Sequence, residues 1–309
     1  MALPKDYLKY PKRGYGMDHD RYEWSILQKR PPVTWPNGAR IALWVVPALE
    51  FFPLNQPAQP FKAPGGMVTP YPDLRHYTLR DYGNRVGVFR VFKLLDKFKI
   101  KASVAINSKI AERYPLLIDE VNARSWEVIA NGVDMGKLHY GGLDPVAEQA
   151  LIQESMSTLR AASDQPVAGW LSPAKSQSEN TLDLIAAEGI EYVCDWINDD
   201  MPYEMTTKHG VIHSMPHAYE IDDQTIMGNY KHSEQQFVDQ VTDQFDVLYR
   251  EAEREGGRIM ALTIHPWMSG QPHRIKFLEA ALAHITGHDG VWSATGAEIL
   301  SAFKAQASS

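Results

Sequence analysis

The chain has 309 residues, 44% hydrophobic and 22% charged, with 31 basic and 38 acidic side chains giving a net charge of −7 at pH 7. That composition predicts a folded globular protein, and the acidic balance, without any lysine- or arginine-rich run, argues against a nucleic-acid or anionic-membrane partner. The single cysteine, Cys194, has no internal disulfide partner, and there is neither an apolar leader nor a run of 18 apolar residues, so a soluble protein in a reducing, cytoplasmic setting is expected.

Residues 1–38, rich in proline, tyrosine and charge, predict an ordered N-terminal arm in which Asp18 and His19 are the notable polar groups. From Ala39 onward, strand-like and helix-like segments alternate, the pattern of a largely parallel α/β fold. The first strand starts at Ala39 and runs on to Glu50. A loop over 53–83 with several prolines and Gly65-Gly66 has the length of a lid or binding loop. Val86, Phe89, Val91, Phe92, Leu94, Leu95 and Phe98 recur at helical spacing and predict a helix over 84–98. A strand over 102–107, a helix opened by Pro115 and a strand over 126–130 follow. Asp144-Pro145 supplies an N-cap with proline at the first helical position, for a helix to Ala162. Strands over 167–171 and 192–196 bracket a helix near 180–188. Ser233 with Gln236 is a capping box for a long helix to Glu255. The apolar strand Arg258–Ile264 then delivers His265 to its end, where Pro266 stops the ladder because it has no N–H to donate. Helices near 274–286 and 295–304 close the chain, and a single domain over 39–305 is expected.

Polar residues gather where strands should end: Glu50, Asn131 with Asp134, Ser172 with Lys175, Asp195 and His265. In a parallel α/β barrel these ends share one face, so five strands would offer polar groups to one pocket for a small-molecule substrate. His265 is the side chain best suited to proton transfer near neutral pH. Trp196 and Trp267 are expected as pocket walls. Arg80, near a helix start, is suited either to ion pairing or to holding an anionic or carbonyl group.

Trp35-Pro-Asn-Gly-Ala-Arg-Ile-Ala42, Arg80-Asp-Tyr-Gly-Asn-Arg-Val-Gly87, Gly169-Trp-Leu-Ser-Pro173, Tyr192-Val-Cys-Asp-Trp-Ile-Asn-Asp-Asp200 and Leu262-Thr-Ile-His265 together resemble the polysaccharide deacetylase (NodB-homology) superfamily, and within it the allantoinase-like and cyclic-imide-hydrolase-like branch. The resemblance implies a distorted (β/α) barrel, usually seven-stranded, that hydrolyses non-peptide C–N bonds. It implies His265 as the acid that protonates the leaving nitrogen, Asp195 as the carboxylate orienting it, Glu50 as base or metal ligand, and Ser172-Pro173 as one wall of the groove. It also implies multimers, so a homo-oligomer is the expected assembly.

The chain departs from the metal-dependent members, which place two histidines one helical turn apart after strand three. Asn131 and Met135 stand there instead, and neither is a normal zinc ligand. Glu50, Asp134 and His139 are the remaining candidate set for a divalent metal such as zinc; Asn131 itself can hydrogen-bond substrate but not titrate. Three functions are therefore open: a hydrolase of small cyclic or linear amides (ureide, imide or N-acyl compounds), a metal-dependent carbohydrate N-deacetylase, and a catalytically degenerate barrel that binds a metabolite.

Overall fold

The computed structural model describes residues 18–57, 60–66 and 72–307, so residues 1–17 of the expected arm lie outside the described residues. Strand β1 (Ile41–Leu49) organises the sheet. It alternates between two cores: Ile41, Leu43, Val45 and Leu49 face one apolar cluster, while Ala42, Trp44 and Val46 face the other. A strand buried on both faces is the signature of a parallel sheet with helices outside and a packed interior.

Helix α1 (Leu74–Tyr82), capped by the Asp73 side chain, passes through a π-helical turn at Gly83–Gly87 into α2 (Val88–Lys97). Then come β2 (Ser103–Ile106), α3 (Ser108–Arg113), α4 (Pro115–Ala123), β3 (Glu127–Ala130), α5 (Pro145–Ser163), β4 (Gly169–Trp170), α6 (Thr181–Ala187) and β5 (Tyr192–Val193). An antiparallel hairpin follows, β6 (Tyr203–Thr207) and β7 (Gly210–Ser214). A second π-helical turn, Gln224–Asn229, precedes α7 (Glu234–Glu255), which carries the Ser233–Gln236 capping box anticipated from sequence. The chain ends with β8 (Arg258–Ile264), α8 (Pro266–Ser269), α9 (Ile275–Thr286), β9 (Val291–Ser293) and α10 (Gly296–Ala307).

The main run is β6-β7-β5-β4-β3-β2-β1-β8, with β9 pairing β1 beside it. The expected seven strands are thus corrected to eight. The seven from β7 to β8 are mutually parallel, and β6 is added because the hairpin turn at Lys208-His209 folds it back antiparallel on β7. Among the described residues β6 and β8 do not pair with each other, so the sheet is a curled half barrel. Described residues of the arm close its flank: Arg21 pairs with Asp183 at 2.7 Å and Arg30 with Asp199 at 2.6 Å.

One contact positions the site more than any other. The π turn lies backbone to backbone on α8, which begins one residue after His265. A Cβ on Gly87 would stand 2.2 Å from the Pro266 carbonyl oxygen, and one on Gly270 2.5 Å from the Gly87 Cα. No real side chain fits there, so the absent Cβ atoms set how closely the segment after His265 approaches α2. No described helix is long and apolar enough to cross a membrane.

Candidate active site

Because β1 and β8 are parallel neighbours with Pro47 opposite Ile264, the residues following them emerge side by side. This places Glu50 and His265, both buried, with Nε2 3.9 Å from Oε1. The other ring nitrogen meets Asp223: Nδ1 lies 2.6 Å from Oδ1. Asp223 also accepts the His265 backbone N–H at 3.0 Å and the Ser269 hydroxyl at 2.5 Å, so the carboxylate and ring are fixed as one unit. Burial alone would lower the pKa of His265, but Asp223, Glu50 and Asp222 more than offset it and raise it to about 9. Glu50 is raised above the ordinary carboxylate range by burial, opposed by His265 and Arg80. One of its oxygens, Oε2, has no hydrogen-bond partner among the described residues.

These two groups stand in a pocket walled by Asn131, Ser172, Lys175, His217, Asp222 and Gln224, among others. Asn131 is held by its backbone, which bonds Ile106 and the Asn107 amide, and its side-chain Oδ1 is free of any described partner. His217 Nε2 lies 2.9 Å from the Thr263 hydroxyl, leaving Nδ1 unpartnered. Burial, reinforced by Lys175 and His265, holds His217 well below its usual pKa, so the ring is neutral. The Ser172–Lys175 turn is strained: Ala174 (φ 60°) and Lys175 (φ 53°) are consecutive non-glycine residues in the left-handed region.

The structure separates two groups that the sequence reading joined. Asp195 does not touch His265; its oxygens accept the Ser172 N–H at 2.7 Å and the Gln177 amide at 2.5 Å. It braces the strained turn, and Asp223 occupies the place assigned to it. Asp195 follows β5, which is separated from β8 by four strands, whereas the Gln224 turn begins directly over β8. Arg80 and Trp267 stand together behind Glu50, the guanidinium 4.0 Å from the indole ring, and are not among the residues walling the pocket. Trp196 faces the adjoining groove instead, its indole N–H donating to Gln177 Oε1 at 3.0 Å.

The proposed metal set Glu50, Asp134 and His139 does not assemble. His139 is committed to Glu148 at 3.0 Å, and that buried carboxylate also accepts from Ser178 and Thr181 at 2.5 Å each. Asp134 Oδ1 accepts the Gly136 N–H at 2.7 Å, closing its own turn. With an amide and a thioether at 131 and 135 and a buried ammonium on the same pocket wall, the donors do not fit a divalent zinc-type ion. Asp222, Asp223 and His265 do bring three ligand-type atoms together. They are already spent on one another and on Ser269 and Thr225, so a cation there would have to break the His265–Asp223 unit.

Asp223 and Gln224 were not anticipated. Their one signal was Asp222 spaced three residues from Thr225, a capping pattern that the structure uses (Thr225 N to Asp222 Oδ1, 2.6 Å).

Comparison with known proteins agrees with this architecture. Residues 77–193 match the polysaccharide deacetylase family model. A Schizosaccharomyces pombe protein whose description as a polysaccharide deacetylase is itself provisional is 24% identical over 300 residues, covering 88% of this chain and 92% of its own. A probable polysaccharide deacetylase from Pseudomonas aeruginosa superposes with a TM-score of 0.79 at 25% identity, covering 90% of this chain and 95% of that one. PuuE allantoinase superposes with a TM-score of 0.80 at 24% identity over 96% of this chain and 98% of that one, a likeness of fold. Residues 77–193 are thus similar to the polysaccharide deacetylase family, and over most of its length the chain shares the fold of these proteins.

Proposed function

We propose that the protein is a hydrolase of non-peptide carbon–nitrogen bonds whose substrate is a small cyclic or linear amide of the ureide, imide or N-acyl type. The observation that carries this is the Asp223–His265–Glu50 line: an imidazole held charged on one side by a buried carboxylate, with a second carboxylate 3.9 Å from its other nitrogen. Glu50 accepts a proton from water as the water oxygen bonds to the substrate carbonyl carbon. The tetrahedral centre then collapses, the C–N bond breaks, and the proton on His265 Nε2 goes to the departing nitrogen. Transfer of the Glu50 proton to His265 restores the starting state. The match of residues 77–193 to the polysaccharide deacetylase family supports a deacetylase or amidase type of chemistry, and the fold likeness to an allantoinase is in keeping with the small-amide branch.

A site lacking a suitable ligand set favours acid–base chemistry by these side chains over a zinc-dependent carbohydrate deacetylation. Wild type, Glu50→Gln and His265→Ala, assayed on a panel of hydantoins, cyclic imides, ureides and acetylated chitooligosaccharides, test the reading. Hydrolysis of a cyclic or linear amide that falls at least roughly 100-fold in either variant is expected. Acetate release from the oligosaccharides alone, or turnover indifferent to His265→Ala, would refute it.

A further inference from the structure

Lys175 is a basic pocket residue that the proposed chemistry does not use. Its Nζ is fully buried and has no hydrogen-bond partner among the described residues. The side chain crosses the face of Tyr219, with Nζ 4.9 Å from the ring centroid, and lines the pocket opposite residues of the Gln224 turn. The carboxylates nearest in charge do not pair with it. Asp195 accepts from Ser172 and Gln177, and Asp222 accepts from Thr225 and faces His265. An unpaired ammonium taken out of water is costly unless an anion meets it, and burial accordingly pushes the Lys175 pKa down, opposed by Asp222 and Asp195. Here the fold adds a second cost, two consecutive left-handed residues that aim the side chain into the pocket.

Neutral hydrogen-bonding groups are already present for a neutral amide. Gln224 Nε2 has no described partner and lines the same pocket, and His217 Nδ1 is likewise unpartnered. Glu50 and His265 occupy the reacting end. The ammonium is therefore surplus to the needs of a neutral amide, and its complement is a negative charge.

We infer that Lys175 is a specificity-determining residue that anchors a carboxylate carried by the substrate at the end away from the scissile C–N bond. The ligand class is an amide, ureide or imide bearing a free acid, with Lys175 on the acid and the Glu50–His265 pair on the reacting carbonyl. This rests on the reading of the pocket as a small-amide site, and deepens it by naming the charge of the substrate.

Binding is measured without turnover, by calorimetry at pH 7, with two probes that differ in one group: hydantoin and hydantoin-5-acetate. The comparison is made on wild type, Lys175→Met and Lys175→Arg, each checked for folding by its thermal transition. Wild type should bind the acid at least tenfold more tightly than hydantoin, Lys175→Met should lose that preference while keeping its affinity for hydantoin, and Lys175→Arg should retain part of it. Equal affinity of wild type for the two probes, absence of binding of either, or equal weakening of both in Lys175→Met overturns the inference. A lysine-dependent preference in a protein that hydrolyses no amide of the panel would leave the anchor standing and remove the hydrolase.

Discussion

Replacing Asp223 by Asn removes the charge behind His265 while keeping an oxygen to accept from the His265 N–H or the Ser269 hydroxyl, so the fold should survive. His265 has a pKa of about 9 against the usual 6.5, a difference worth about 3 kcal/mol between its two protonation states. Asp223 is the largest of the groups raising it, and burial is the largest influence opposing them. In Asp223→Asn the imidazole should therefore titrate near or below neutrality. At pH 8 the share of imidazolium then falls from nearly all to a small minority, and kcat/KM falls about tenfold or more. The basic limb of the pH profile should move from near 9 to about 7 or below. The same shift has a stability consequence with a definite sign. A histidine whose folded pKa is raised contributes stability that is fully present below pH 6.5 and is lost as pH rises through 9. Wild type should lose about 3 kcal/mol from this source over that window, and Asp223→Asn much less. Nitrogen-detected NMR titration of His265 and denaturant unfolding at pH 6 and 10 read both effects. A wild-type ring titrating near its ordinary value, or one that Asp223→Asn leaves unmoved, would refute the argument.

Asn131→His should acquire no stoichiometric zinc, because Met135 and the committed His139 and Asp134 leave one added imidazole with too few partners; elemental analysis of both proteins decides, and full loading of the variant would contradict the fit argued above. Glu148→Ala strands His139, Ser178 and Thr181 in a dry interior and should lower unfolding free energy by about 3 kcal/mol or more, with kcat retained well below the lowered Tm. A near-neutral change would mean that the network is dispensable. Gly87→Ala drives a Cβ into the Pro266 carbonyl, so it should lower Tm and depress turnover together, and a variant with wild-type values of both would show that the approach of α2 to α8 is soft.

The sheet was legible because its strands are apolar runs with clear stops. β1, β2, β3 and β8 fall where periodicity and Pro266 place them, and the helices α2, α5 and α7 follow from spacing and caps. Glu50 and His265 came with those strands, since strand ends are set once the strands are. Some elements were missed: α1 lay inside a segment read as loop, and the short strands β6 and β7 were not anticipated. Asp223 was hidden for a related reason. It reaches His265 from a loop rather than a strand end, across 42 positions of sequence, and no local period records such a contact. Asp195 was misassigned because a strand-end carboxylate looks the same in sequence whether it faces an imidazole or a turn.

The two π-helical turns, Gly83–Gly87 and Gln224–Asn229, flank the site. A π turn amounts to an α-helix holding one residue too many, and such turns collect near functional sites. Asn84, inside the first, bonds the Glu50 carbonyl at 3.0 Å; Gln224, opening the second, meets the pocket beside Asp223. Losing a single residue from the first, which joins α1 to α2 without a break, would let the helix relax to a regular register and turn α2 against α1 by about 100°. The evolutionary reach of this pocket therefore extends past substitution: one-residue insertions and deletions act here as rotary settings, each presenting a different set of side chains to the same Glu50 and His265.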